Sequence, residues 1–458
     1  MTYCAVGVIL LTIGIDIGTT SVKAGVFDDD GAVVARTRIP HQLLVPAADR
    51  LEHDAARAWR QGPRRALRAL GPVVKEAAGV AVSSMVPCLT AVDRRGRPLT
   101  PGLLYGDARG RLGPVPTDAG SPGEMVEFLR WTAKVCPGAF GYWPALAVAN
   151  RALGAQPAVD HGIAFSSVPL FGANGWDADV AAGCGADTGQ LPPILDICTP
   201  VGRVDGQDGA PMVATGSVDV YCEQMTAGTE RVGDVHVQCG TTLLVWSVIK
   251  EWRDTPGLWT IPHPDESLLL SGGASNAGGL FLDWVGRLLG QKRGSSTLST
   301  PDTLDPNRVP VWAPYLRGER TPYHDPNRRA TLAGLDLTHG ADAVRRAAWE
   351  ASAFVARNHI ERAGVTPTRI IATGGGTRVT GWVQALADVV GVPVHLAAVP
   401  EGAAQGAAFL ARVGVGAESH PRESGRWART GSVVEPDPGW AGPTESRYRI
   451  FLEMSEPG

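Results

Sequence analysis

The sequence predicts an α/β protein built from two related domains. Three observations carry that prediction. Two strand–Gly-Thr-Thr–strand units lie about half a chain apart, at 11–27 and 235–248. The C-terminal half alternates helical and strand-like segments. The length, 458 residues, suits two large domains, or about three of average size.

The first unit opens at Leu11 to Ile15, an apolar β-like run ending at Asp16. The turn Gly18-Thr19-Thr20 follows, and then Val22, Ala24 and Val26 alternate with Lys23, Gly25 and Phe27. Asp28 to Gly31 reads as a hairpin turn and Ala32 to Arg38 as a third strand. A dinucleotide-binding unit would run strand, glycine turn, helix. Here the glycine turn joins two strands. A helix is predicted at Asp54 to Leu70 and a strand at Val80 to Ser84. Arg109 to Gly123 reads as a loop, and the local pattern assigns nothing over 140–210. The second unit pairs Val235 to Cys239 with Leu243 to Val248 across Gly240-Thr241-Thr242. Helices follow at Arg345 to Arg362, Gly381 to Val390 and Ala403 to Val413, with strands at Ile370 to Thr373 and Val394 to Leu396. The halves are expected to meet near residue 230, giving domains of 1–230 and 231–458.

Composition narrows the function classes. Lys and Arg number 42 against 46 Asp and Glu, a net charge of −4, with no block of like charge. No nucleic-acid footprint is expected, and an anionic ligand would be held by local geometry. Seven Cys, an odd number without CxxC spacing, suit reduced thiols in a cytoplasm. The apolar stretch Ala5 to Ile15 is too short for a membrane span and has no basic lead. There is no GxxxxGK[ST], HExxH or GxSxG motif.

The candidate chemistry sits at the glycine turns. Gly18 would allow a tight turn with bare amides, which form an anion-binding concavity. Thr19, Thr20 and Ser21 add hydroxyls and Lys23 a point charge. Asp16, ending a buried strand, suits Mg²⁺ or its waters. Gly240, Thr241 and Thr242 repeat the turn, whose plain alternative is an ordinary β-turn. Gly374-Gly375-Gly376, between strand and helix, would let a flat ligand or a ribose lie on the backbone; the alternative is a flexible connector. Asp219 would orient an attacking hydroxyl and take its proton, or is a surface turn residue. Asp107 and Arg109 would bind polyol hydroxyls, or form an exposed ion pair.

In order, these pieces resemble the FGGY family of carbohydrate kinases, within the sugar kinase–Hsp70–actin superfamily. Asp16 through Lys23 resembles its first phosphate motif and Gly240-Thr241-Thr242 its second. Asp93 to Pro98 and Tyr105 to Arg109 resemble its sugar-side stretch. Gly216 to Asp219 falls where the family has its catalytic Asp, and Gly334 through Glu350 resembles its C-terminal signature. Gly374 to Gly376 with Trp382 to Asp388, including Gln384, resembles its adenosine segment; Glu401 to Ala408 and Val434 to Pro438 complete the match. The resemblance implies two actin-like (ribonuclease H-like) domains flanking a nucleotide cleft. It also implies ATP and Mg²⁺ as cofactors, a small sugar as partner, no nucleic acid or membrane partner, and the homodimer that family members often form. Asp219 is then the catalytic base, of ordinary carboxylate strength. Where xylulose kinases have Gln-Met-His this chain has Met85-Val86-Pro87, and the usual Trp-Asn pair is Tyr105-Gly106. Met85, Asp107, Arg109 and Asp219 are the expected substrate contacts. The implied activity is phosphorylation of a ketose or polyol, foremost a pentulose such as xylulose. The alternative is a nucleotide-binding regulatory or scaffold protein with a degenerate sugar site.

Overall fold

The computed structural model describes residues 9–47, 49–112, 124–265, 267–291, 299–301, 303–399 and 402–456. Glu401, Cys4 and most of the loop read at 109–123 lie outside them. Among the described residues, those up to 226 together with 402–427 form one compact unit. Residues 227–399 and 428–456 form the other.

The first unit runs β1 (Leu11–Ile17), β2 (Ser21–Phe27), β3 (Val33–Pro40), β4 (Glu52–His53), α1 (Gly62–Leu70), β5 (Ala77–Ser84), β6 (Cys88–Val92) and β7 (Gly102–Leu104). It continues through α2 (Glu124–Val135), β8 (Gly141–Trp143), α3 (Ala145–Ala152), β9 (Pro200–Arg203), β10 (Met212–Ala214), β11 (Ser217–Val218) and α4 (Asp219–Ala227). The helix expected from Asp54 begins as a π-helical turn, Ala56–Gln61, before α1. The sheet order is β9-β10-β5-β1-β2-β3, with β11 also on β5. Every residue of β1 is buried, with Leu11, Ile13, Ile15 and Ile17 in the core, as suits a strand inside a sheet. It pairs antiparallel with β2 and parallel with β5. A second sheet, β4-β7-β6-β8, adjoins in sequence.

The second unit repeats this topology. It runs β12 (Asp234–Cys239), β13 (Leu243–Ile249), β14 (Trp259–Pro262), β15 (Leu269–Ser275), α5 (Gly279–Leu288), α6 (Ala341–Arg362), β16 (Arg369–Thr373), α7 (Thr380–Val390) and β17 (Val394–Ala397). The chain then enters α8 (Gly402–Gly414), and later β18 (Thr430–Val434) and α9 (Pro438–Ser455). The sheet order is β14-β15-β13-β12-β16-β17-β18. β12 pairs antiparallel with β13 and parallel with β16, as β1 does with β2 and β5. The sequence reading places residues 402–414 in the C-terminal half. In the structure α8 packs on β1 and β5 of the first unit. Gly14 permits this, since a Cβ there would lie 1.6 Å from the Ala404 carbonyl oxygen.

Candidate active site

Strand register builds the first half of the site. Asp16 of β1 faces Lys23 on β2 and Ser83 on β5, and Ser83 faces Ser217 on β11. Asp219 follows β11 directly, so parallel pairing brings it to the same sheet end as Asp16. Carboxyl ends of parallel strands are where open α/β sheets bind ligands.

Asp16 is 5% exposed. Its Oδ2 lies 3.3 Å from Lys23 Nζ, and its Oδ1 accepts a 3.3 Å hydrogen bond from Ser83 Oγ. Asp16 foremost, against the opposing pull of burial, holds the Lys23 ammonium above its usual pKa. Asp219 heads α4, with its Oδ1 accepting from the Val220 N–H at 2.8 Å. Burial, then the like charge of Asp16, raises its carboxyl to about 7, with Glu223 adding to the rise and Lys23 opposing it. The ordinary carboxylate strength expected of Asp219 is therefore corrected upward. Three carboxylates around one ammonium leave excess negative charge, which suits a cation. Among the described residues no cluster of three His, Cys, Asp or Glu forms a metal cage. Mg²⁺ typically binds through one or two carboxylates plus waters and substrate phosphates, and the Asp16 carboxylate is of the kind it takes.

The first hairpin is closed by Gly18 N–H donating to the Ser21 carbonyl at 3.1 Å. The Thr19 carbonyl accepts from His53 Nε2 at 2.8 Å. The Thr20 carbonyl accepts from the His41 N–H at 3.0 Å. A trans peptide points its C=O and N–H oppositely. Pinning the Thr19 carbonyl therefore turns the Thr20 N–H the other way. Thr19 Oγ1 lies 2.7 Å from the Tyr105 hydroxyl. Gly18 has no positive φ, and a Cβ there would meet nothing nearer than 3.6 Å. The tight-turn reason for this glycine is thus corrected: the fold itself has room for a side chain.

The second hairpin uses the same device with different donors. Gly279 N–H donates to the Gly240 carbonyl at 2.8 Å, and Leu280 N–H to the Thr241 carbonyl at 3.1 Å. The N–H groups of Thr241 and Thr242 consequently face away from α5. β16 ends beside β12, which places Gly374 to Gly376 next to this hairpin. Gly374 has φ 87°, and a Cβ on Gly376 would lie 2.2 Å from the Trp382 ring. A Cβ on Gly375 would meet nothing within 4 Å, so it leaves backbone open to a ligand. Gln384 donates to Asp388 Oδ1 at 2.8 Å and to the Glu435 carbonyl at 2.9 Å. Asp388 is itself bound to buried Arg346 at 2.8 Å.

The sugar-side residues are more enclosed than expected. Met85 is 3% exposed within the apolar core. Asp107 is fully buried and accepts from the Leu51 N–H at 2.8 Å. Arg109 pairs with Asp107 at 2.6 Å and with Glu52 at 2.7 Å, and its guanidinium lies over Trp131. The Asp107–Arg109 ion pair is thus buried rather than exposed, and it braces β4.

Residues 11–111 match the N-terminal domain of the FGGY family of carbohydrate kinases, and residues 235–415 match its C-terminal domain. The chain belongs to this family. It is 25% identical over 441 residues to a xylulose kinase of Escherichia coli, covering 89% of this chain and 90% of that one. It is 26% identical over 440 residues to a gluconokinase of Bacillus subtilis, covering 82% of each. The solved xylulose kinase from Rhodospirillum rubrum superposes with a TM-score of 0.79 at 27% identity, covering 97% of this chain and 98% of that one.

This FGGY chain is accordingly a sugar kinase, a phosphotransferase of a family that uses ATP, with two actin-like α/β domains. Among the described residues no helix is long and apolar enough to cross a membrane. Sequence reasoning missed His53, Trp59 and Glu52, which hold the first hairpin and the 105–109 stretch. Their only local signal is the Glu52-His53 pair before a helix, which is common in unrelated chains.

Proposed function

We propose that the protein transfers the γ-phosphoryl group of MgATP to a hydroxyl of a ketose or polyol, foremost a pentulose such as xylulose. The observation carrying this reading is Asp219, a carboxyl raised to about 7 at the sheet end that also presents Asp16 and the first hairpin. The acceptor class rests on the resemblance to proteins named xylulose kinase, with gluconokinase and glycerol kinase also among the relatives.

In the proposed reaction Asp219 accepts the acceptor hydroxyl proton as that oxygen bonds to the γ-phosphorus. The bond from phosphorus to the bridging oxygen breaks and ADP leaves. A base near pH 7 suits proton transfer at neutral pH, and the loose transition state asks mostly for positioning. Gly18, Thr19, Thr20, Ser21, Gly240, Thr241 and Thr242 would hold phosphates, with Lys23 beside them. Gly374, Gly375, Gly376 and Gln384 would receive the nucleoside, and Asp16 would hold Mg²⁺, which shields phosphate charge when bound.

An ADP-release assay over pentuloses, hexuloses, aldonates and polyols tests the reading. Stimulation by xylulose or a related ketose is expected. A folded, ATP-binding protein that no sugar stimulates overturns it. The second reading, a regulatory or scaffold protein, draws on Met85 and Asp107, both enclosed with no exposed polar group. Calorimetric titration separates the two, because that reading expects ATP binding without a saturable sugar site.

A further inference from the structure

We propose that His53 is a positioning residue for the first phosphate hairpin, locked by Trp59 as the Nε2–H tautomer so that it holds the Thr19 carbonyl and turns the Thr20 N–H toward phosphate. This rests on the reading above that the 17–21 hairpin grips the nucleotide.

The tautomer follows from the partners. A carbonyl oxygen only accepts, so His53 Nε2, 2.8 Å from Thr19 O, carries the proton. An indole N–H only donates, so His53 Nδ1, 3.0 Å from Trp59 Nε1, presents its lone pair. The ring is thereby uncharged and fixed in orientation, as imidazoles are when both nitrogens are engaged. His53 and Trp59 are both fully buried. Burial, helped by His41, whose ring centroid lies 4.5 Å away, pushes His53 down to about 4.

The surroundings make the geometry stiff. His53 pairs with Gly102 across β4 and β7, and a Cβ on Gly102 would lie 2.3 Å from the Trp59 ring. Only a glycine there lets the indole reach His53. The preceding residues are clamped from the sugar-side stretch, Leu51 by Asp107 and Glu52 by Arg109. Tyr105 of the same stretch reaches the Thr19 hydroxyl. Both the side chain and the carbonyl of Thr19 are therefore held from elements outside the hairpin. The second hairpin has its carbonyls pinned by the backbone of α5 instead. In the first unit a side chain does that work, which makes the arrangement testable by substitution.

The test uses the full chain, with ATP affinity by calorimetry and steady-state constants for ATP and for the most active acceptor. His53→Leu removes the donor and is expected to weaken ATP binding about tenfold, because the Thr19 carbonyl loses a fixed partner. The KM for the acceptor is expected to stay unchanged. His53→Gln keeps an N–H in reach and is expected to restore ATP affinity to within about threefold. Nitrogen-15 spectra of the wild type are expected to show a neutral Nε2–H ring, and Trp59→Phe to give mixed tautomers with an intermediate loss of ATP affinity. Unchanged ATP binding in folded His53→Leu, equal losses in the Leu and Gln variants, or a wild-type Nδ1–H ring each overturn the inference. If His53→Leu does not fold, the Trp59→Phe affinity and the spectra decide. Wild-type protein that binds no ATP overturns the underlying reading, and this inference with it.

Discussion

Lys23 Nζ sits 3.3 Å from Asp16 Oδ2, on facing positions of β1 and β2. The ammonium is thus not simply a spare charge for phosphate. It neutralises part of a carboxylate group that includes Asp219 and Glu223. Burial first, and then the charge balance at this sheet end, govern the protonation of Asp219.

The pH dependence follows with a definite sign. Proton acceptance needs the Asp219 carboxylate, so kcat/KM is expected to fall as pH drops through about 7. Lys23→Met removes an attraction and moves the Asp219 titration upward. Asp16→Asn removes a repulsion and moves it downward. Carboxyl carbon-13 titration reads these shifts even in inactive variants. A titration of Asp219 near pH 4 in the wild type would remove it as a neutral-pH base.

The same raised pKa affects stability. An acid whose pKa is higher in the folded state favours folding most at low pH. That contribution declines as pH rises from about 4, the unfolded value, to about 7. Asp219→Asn carries no such ionisation. It is expected to melt a few degrees above wild type at pH 8, with the gap closing toward pH 4. It should also keep ATP binding and lose phosphoryl transfer. Retained turnover would take the catalytic role from Asp219.

Two glycines should separate fold from ligand. A Cβ on Gly18 meets nothing nearer than 3.6 Å. Gly18→Ala is therefore expected to leave stability equal or raise it by about 0.4–1 kcal/mol, while weakening ATP binding. A Cβ on Gly376 would overlap the Trp382 ring at 2.2 Å. Gly376→Ala is expected to lower stability by roughly 1–3 kcal/mol. Urea unfolding and ATP titration of both variants check the contrast.

A buried ion network holds Gln384 in place. Arg346 bonds Glu350 at 2.9 Å and Asp388 at 2.8 Å, all with fully buried side chains. Arg447 of α9 reaches Glu350 at 2.6 Å. Arg346→Met leaves the buried Asp388 carboxylate without its charged partner, while Glu350 keeps Arg447, and breaking such a buried pair costs about 3–5 kcal/mol. Chemical denaturation measures this directly, and a loss below about 1 kcal/mol would contradict the network's role.

Much of the frame was legible in the sequence. The two hairpins, the long helix ending at Arg362 and the strand leading to Gly374 follow from apolar period and glycine position, which are local properties. Asp219 was legible only by its place in an ordered set of motifs. His53 was not, because its role depends on Trp59 six residues on and Thr19 thirty-four residues back. Residues 140–210 were unreadable because their elements are short and punctuated by glycine and proline.

The residues alone decided that the chain is α/β, that a strand–turn–strand unit occurs twice, and that bare backbone recurs at Gly18, Gly240 and Gly374 to Gly376. Those features lie in near neighbours, where periodicity and turn chemistry act. Only the tertiary structure decided that Lys23 faces Asp16, that the Asp219 carboxyl is held above its usual pKa, that α8 joins the first unit, and that Asp107 braces a strand. Each of these depends on burial or on a partner distant in sequence. Desolvation and charge proximity exist only once the sheet has formed.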